Sequence, residues 1–329
     1  MVAYRLAKAG LRVLVLERGQ AWAPGTFPRY PKDFHRALWD PSHDRYGLFN
    51  LWSFPGIDVV TASGLGGGSL IYANVLLRKD REWFRSEVGQ EWPLTYDELA
   101  SQYSRVERML GAREYPDELT VAKFAAFRDA SKSAREDWRK VPLAVAFGEC
   151  VNAPAATGVP LSEQHNLHGV PRMSCRLCGE CDVGCNYGSK HTLDLNYLTH
   201  AREYGAELRT LAQVVRVAPA ASGEGYRVHY VKHRPGSGLA TAQLPEHIVS
   251  GTRLILAMGS PGSPFILLQS RESFPKISGM LGQRFAGNGD YLGFVSNAKQ
   301  DLDPYHGPVI TSAVRVPDFA DGAKTPGLY

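Results

Sequence analysis

Four of the five cysteines in this chain stand within eleven residues, Cys175, Cys178, Cys181 and Cys185, in the order C-x2-C-x2-C-x3-C. Thiols this dense suggest metal or redox chemistry before a disulfide framework, which small secreted chains need and a 329-residue chain does not. The spacing equals that of a ferredoxin-type iron–sulfur run, with Asn186 where proline usually follows. The fourth cysteine of such a run generally serves a second cluster, and no second run exists here unless Cys150 completes a site. Zinc held by four thiolates usually draws on two separated pairs, so three ligands this close are awkward. A packed loop of inert thiols is the remaining reading. His165 and His168 could supplement the thiols, although places on a surface loop are the plainer expectation.

A second stretch with chemical promise is TASGLGGGSLIYANVLLR, residues 61–78. Gly64, Gly66, Gly67 and Gly68 let backbone approach a ligand, because no Cβ intervenes and positive φ is open to them. A flexible turn would need the same residues. The apolar run at 69–77, strand-like or helical, pins this loop to structure, and pinned glycine loops often bind phosphates. A third stretch, TRLILAM at 252–258, reads as a buried strand followed by GSPGSP and an apolar helix over 265–270. Small residues straight after a buried strand admit a ligand at its carboxyl end.

The elements that must position these stretches begin at once. Residues 2–9 have apolar side chains at helical spacing, Gly10 can end the helix, and 13–16 (VLVL) is a strand ending in Glu17. In a dinucleotide-binding βαβ unit a strand and a G-x-G-x-x-G loop precede this helix, and an acid at the second strand's end holds the ribose hydroxyls. The helix, the second strand and the acid are in place; the first strand and glycine loop are expected to be missing, either because translation begins at Met1 and the fold is damaged or because the chain is a piece of a longer one. Residues 20–60 read as an irregular aromatic excursion. Helices are expected over 96–110, 120–135 and 192–205, and a strand over 207–217 forming a hairpin with 226–232.

Composition narrows the function classes. With 44% hydrophobic and 21% charged residues the chain is an ordinary globular one, and its +4 net charge has no basic block suited to nucleic acid. No run approaches the roughly 20 apolar residues of a membrane span, and the start does not resemble a signal peptide. A cytoplasmic protein is expected.

GLGGGSLIYAN, the cysteine block with GSKHTLDLNYLTHAREYGAEL, LILAMGSPGSP and GQRFAGNGDYLGF, taken in that order, resemble the glucose–methanol–choline flavoprotein oxidoreductases, in particular their bacterial cholesterol-oxidase-like branch. The resemblance covers most of the chain apart from about 113–166. It implies an α/β fold: an incomplete doubly wound, Rossmann-like FAD-binding domain interleaved with an α+β substrate domain. The division it implies is 1–20 for the first part of the FAD-binding domain, 21–170 for a cap or substrate-domain excursion carrying the loop at 61–78, 171–290 for the second part with the cysteines, and 291–329 for the start of the substrate-domain sheet. By motif, Glu17 matches the acid on the adenosine ribose. Gly64, Gly66, Gly67, Gly68 and Ser69 match the loop at the pyrophosphate and flavin, with Asn74 following near the ring. Val214 or Val215 matches the strand at adenine, Ala257 and Gly259 the turn beneath the diphosphate and ribitol, and Asn288 a cofactor contact in GNGD. FAD asks for backbone donors at its phosphates, a carboxylate at its diol and a dry pocket for its ring, and each has a candidate here.

The same resemblance implies oxidation of an alcohol or sterol, a base taking the hydroxyl proton while hydride passes to flavin N5, with oxygen or another acceptor taking the electrons. The catalytic His or Asn residues are expected beyond Tyr329, so no catalytic residue is assigned and this chain alone is expected to turn over little. One alternative is a dehydrogenase passing electrons through an iron–sulfur cluster; another is a non-catalytic flavin- or lipid-binding module left by a split gene. Similar cysteine blocks occur in this branch, where they could serve as a compact structural loop. Trp22, Trp39, Trp52, Phe49 and Phe54 could line a sterol-sized pocket, with core filling the plainer expectation. Lys190 could meet a cofactor phosphate, with a solvated place beside Gly188 the plainer one.

Overall fold

The first helix, Val2–Lys8, and the short strand Leu14–Leu16 follow from the alternation of apolar and charged residues at the start of the chain. Ala7 packs on Ala201 and Ala206, with Ala3, Tyr4 and Val13 around them, so the helix lies on the segment that precedes Glu207–Arg209. Leu14–Leu16 pairs in parallel with that strand, Leu14 opposite Glu207 and Leu16 opposite Arg209. The chain is described here from a computed structural model covering residues 1–84, 93–134, 136–162, 165–287, 293 and 296–315.

The fold is mixed α/β with small sheets. Among the described residues the Leu14–Leu16 pair is the one parallel pairing of named strands, and it alone represents the parallel sheet expected from the resemblance. The expected strand over 207–217 is two strands. Leu211, at φ 53, turns the chain between Glu207–Arg209 and Ala212–Pro219, and the second strand leaves for a three-stranded antiparallel sheet with Tyr226–Lys232 and Glu246–Gly251.

Residues 20–60 are more regular than their composition suggests. Phe49–Phe54 and Ile57–Ala62 form a hairpin closed by Pro55 and Gly56, the latter at φ 83, which is the backbone a Pro-Gly turn requires. Trp22 and Trp39 are core residues; Trp22 packs with Phe27, Leu48 and Leu70. Phe49 packs against that cluster, Trp52 meets the Phe265 ring edge-on, and Phe54 is exposed. These aromatics therefore do not line one common pocket.

The helix Tyr96–Met109 starts at a reciprocal cap: the Glu98 N–H donates to Thr95 Oγ1 at 3.3 Å and the Thr95 N–H to Glu98 Oε2 at 2.7 Å. Ala122–Ser133 drops Phe124 into a core with Tyr115, Val141, Leu143, Val145 and Phe147, and Cys175 and Leu177 join it. Ser312–Arg315 pairs antiparallel with Asp137–Lys140 beside this core. The expected helix at 192–205 is present, with its first turn wound as a π-helix over Asp194–Leu198 before Thr199–Glu203.

Residues 252–258 are not the buried strand their apolar pattern suggests. They form no ladder, and Ile255 is 52% exposed. A strand exists through pairing, and among the described residues no other strand pairs with this stretch. The helix that follows is longer than expected, Gly259–Gln269, and packs on Ala212–Pro219, where Ser270 Oγ accepts the Val217 N–H at 3.0 Å.

Candidate functional site

Glu17 ends its strand against the glycine loop. Its Oε1 accepts the Gly19 N–H at 2.8 Å, and the Gly64 N–H also faces the carboxylate. Burial pushes the Glu17 carboxyl up to about 7, opposed by the Gly19 N–H, the Arg18 charge and the Gly64 N–H. Gly19 is a close-approach glycine: a Cβ there would fall 2.1 Å from the Ser63 carbonyl carbon. A Cβ on Gly64 would fall 2.6 Å from the Trp22 ring and 2.8 Å from Leu70, so side chains on both sides clamp the start of the loop. Gly66 then runs at φ 122, a backbone that suits glycine, and Gly68 is exposed with open space where a Cβ would stand.

Behind the loop lies the segment after the cysteines. Ser69 Oγ donates to the Gly66 carbonyl at 2.7 Å and accepts the Leu193 N–H at 2.9 Å. Asp194 Oδ1 would lie 3.0 Å from a Gly66 Cβ and has no hydrogen-bond partner, while Oδ2 bonds His168 Nε2 at 2.6 Å. Asn74 is fully buried at φ 69, and neither polar atom of its amide is partnered. Buried polar atoms without partners mark places where a ligand or water can complete the hydrogen bonding.

Lys190 is not solvated. It is 1% exposed, and its ammonium donates to the carbonyls of Leu70 at 3.1 Å, Tyr72 at 2.7 Å and Cys181 at 2.8 Å, over the face of the Tyr72 ring. Burial lowers its pKa to about 8, with Cys181, Cys185, Asp182 and Asp194 pulling the other way. All three ammonium hydrogens are therefore used on carbonyls of the chain, which leaves none for a phosphate. His165 is an exposed loop residue paired with Glu203, as expected; His168 is buried with Asp194, against expectation. Sequence reasoning named Lys190 and His168 without foreseeing their burial, and missed Asp194; the available signal was the place of Asp194 inside HTLDLNYL, residues 191–198, an otherwise apolar helical pattern.

The other expected cofactor residues are less gathered. Val214 and Val215 are half-buried at a bulge in their strand, whose first residue, Ala212, donates its N–H to the Glu17 carbonyl at 2.9 Å. Ala257 and Gly259 lie on the exposed stretch and the helix start that follow the missing strand. Asn288 lies outside the described residues.

The four clustered cysteines line one cavity together with Asn74, Ser189 and Lys190. Among the described residues, however, no group of three or more His, Cys, Asp or Glu side chains is assembled to hold a metal ion. The expected metal ligands thus surround a shared space without closing on a single ion, and Cys150 stands exposed away from it. Burial pushes the Cys175, Cys178 and Cys181 thiols up, which favours their neutral form.

Among the described residues, no helix is long and apolar enough to cross a membrane. A family model described as GMC oxidoreductase matches residues 56–278. A cholesterol oxidase of Mycobacterium tuberculosis is 30% identical over 95% of this chain and 54% of its own, and one of Acinetobacter baumannii 27% identical over 95% and 56%. A solved fungal aryl-alcohol oxidase aligns with 82% of this chain and 45% of its own at 17% identity and a TM-score of 0.37. The chain spans about half the length of the curated relatives it matches. It belongs to the GMC oxidoreductases, a family of flavoproteins, and to their cholesterol-oxidase-like branch.

Proposed function

We propose that this chain carries FAD-binding residues of an oxidoreductase that acts on CH–OH groups, with a sterol or another alcohol as substrate and oxygen or another small acceptor for the electrons. The observation that carries the reading is the meeting of Glu17 with the glycine loop: the acid suited to a ribose diol bonds the Gly19 N–H, and Gly19 lies so close to Gly64 that a Cβ there would fall 2.3 Å from the Gly64 nitrogen. Similarity to cholesterol oxidases at 27–30% identity supports the substrate class.

The residues present fit the cofactor. Gly68 offers exposed backbone with no side chain above it, Asp194 and Asn74 hold unpartnered polar atoms behind the loop, and Trp22, Leu65 and Leu70 keep water from its inner side. Bound there, FAD would supply the acceptor for a hydride from the alcohol carbon. Glu17 would orient the ribose, and Gly64, Gly66, Gly67 and Ser69 would hold the backbone against the phosphates. Asn74, Val214, Val215, Ala257, Gly259 and Asn288 complete the proposed set. No side chain described here is assigned the base.

The test is equilibrium binding of FAD to the purified 329-residue chain, followed by flavin fluorescence. Quenching that saturates, and that weakens at least about tenfold in Gly68→Val, supports the site. Equal binding by Gly68→Val, or none by a folded wild-type chain, removes it.

A further inference from the structure

The glycine loop at 64–69 and the turn that follows the cysteines are fastened together at several points. Ser69 Oγ accepts the Leu193 N–H at 2.9 Å and gives its own hydrogen to the Gly66 carbonyl at 2.7 Å. Thr199 Oγ1 donates to the Asp194 carbonyl at 2.7 Å and accepts the Leu167 N–H at 3.0 Å, which brings His168 alongside. His168 Nε2 then bonds Asp194 Oδ2 at 2.6 Å. Asp194 opens a π-helical turn, in which the Leu198 N–H reaches back to the Leu193 carbonyl at 2.8 Å. Such turns are rare and recur at functional sites.

One atom in this arrangement has no bond. Asp194 Oδ1 belongs to a side chain 1% exposed, has no hydrogen-bond partner, and lies 3.0 Å from the place a Gly66 Cβ would take. Leaving a buried carboxylate oxygen without a donor is costly, so a state of the loop that brings it one is favoured. Gly66, buried at φ 122, can turn its N–H inward because it carries no side chain. Gly68, exposed and with open space where a Cβ would stand, presents the other side of the same loop to a ligand.

We propose that Asp194, aimed by His168, is the positioning residue of the glycine loop: as an anion engages the exposed backbone at Gly68, the Gly66 N–H closes on Asp194 Oδ1 and the loop is held around its ligand. That the anion is the diphosphate of FAD rests on the flavin reading. His168 does not touch the ligand. It occupies Oδ2, which leaves Oδ1 to face the loop, and Ser69 holds the loop close enough for the bond to form.

FAD and inorganic pyrophosphate are titrated separately into the purified chain and its variants, with amide nuclear magnetic resonance spectra recorded and folding checked by circular dichroism. Asp194→Asn keeps an oxygen for the loop, Asp194→Leu keeps the bulk alone, and His168→Gln keeps a donor for Oδ2. The expected result is binding about tenfold weaker in Asp194→Leu and within about threefold of wild type in the other two, the loss and the retention of one hydrogen bond. The Gly66 amide proton moves downfield on saturation in the wild type and in Asp194→Asn. Equal losses in Asp194→Leu and Asp194→Asn, equal binding by all, or a Gly66 amide unmoved by bound ligand overturns the proposal; the last decides it even if Asp194→Leu does not fold. FAD bound without this order among the variants defeats the positioning role alone. Pyrophosphate bound in this order by a chain that takes no FAD defeats the flavin reading alone, and a folded wild-type chain that binds neither defeats both.

Discussion

His168 Nε2 lies 2.6 Å from Asp194 Oδ2, with the two side chains 4% and 1% exposed, directly behind the buried Gly66. His168 also anchors the loop ahead of the cysteines, its N–H donating to Asn166 Oδ1 at 3.1 Å. This contact joins the approach to the cysteine block to the first turn of the helix that follows it, across 26 residues of chain. Removing the imidazole leaves a buried carboxylate with neither oxygen bonded by a side chain. His168→Leu is expected to destabilise the chain by about 2–3 kcal/mol, the cost of an unsatisfied buried charged group, read as a lower urea midpoint at unchanged slope. Loss under about 0.5 kcal/mol would show that the pair does not hold this corner.

Lys190 ties the glycine loop to the cysteine block through Leu70, Tyr72 and Cys181. Lys190→Met keeps much of the side-chain volume and abandons three carbonyls. A loss of about 3 kcal/mol is expected, at roughly 1 kcal/mol per bond, together with faster amide exchange at both 70–72 and 181–185. Exchange that quickens at one segment only would mean that the lysine does not couple them.

Glu17 sets a pH dependence whose sign follows from burial. Its folded pKa, about 7, stands above the ordinary 4.5, so the folded chain binds more protons than the unfolded chain between those values. Stability contributed by this group therefore falls as pH rises from about 4.5 to 7 and is level above. The whole effect is at most about 3 kcal/mol, and about 1–2 kcal/mol once partial exposure is allowed for. Glu17→Gln, which keeps an oxygen for the Gly19 N–H, is expected to equal wild type near pH 5 and exceed it at pH 8, in thermal melts across that range. A gap that widens toward acid pH would reverse the assignment.

Two glycines of one loop should respond differently. Gly66→Ala places a Cβ at φ 122 within 3.0 Å of Asp194 and 3.2 Å of Leu70, and is expected to cost about 1–3 kcal/mol. Gly68→Ala meets open space without positive φ, and is expected to change stability by less than about 0.5 kcal/mol. Chemical denaturation of the two variants side by side tests this, and equal losses would mean that the loop is not braced where the close contacts place it.

The helices were legible in the linear chain because their causes are local. Thr95 and Glu98 mark the start of Tyr96–Met109, apolar residues recur at helical spacing, and Gly205, at φ 86, closes Thr199–Glu203. The glycine loop and Glu17 were legible for the same reason, since close backbone approach and an acid at a strand end are written in residue type. Residues 252–258 were misread because an apolar run becomes a strand only when another strand's edge meets it. Leu211 divided an expected strand because its left-handed backbone is imposed by two different partners, one on each side.

What the sequence by itself determined was family, helix positions and the residue types that could contact a flavin or a metal. Only the tertiary structure decided that Lys190 and His168 are buried, that Cys185 shares a cavity with the other three cysteines, and that Glu17 meets Gly64. The physical reason is distance along the chain. A buried lysine is stable only where distant carbonyls take its hydrogens, and those of Leu70 and Tyr72 come from more than a hundred residues away.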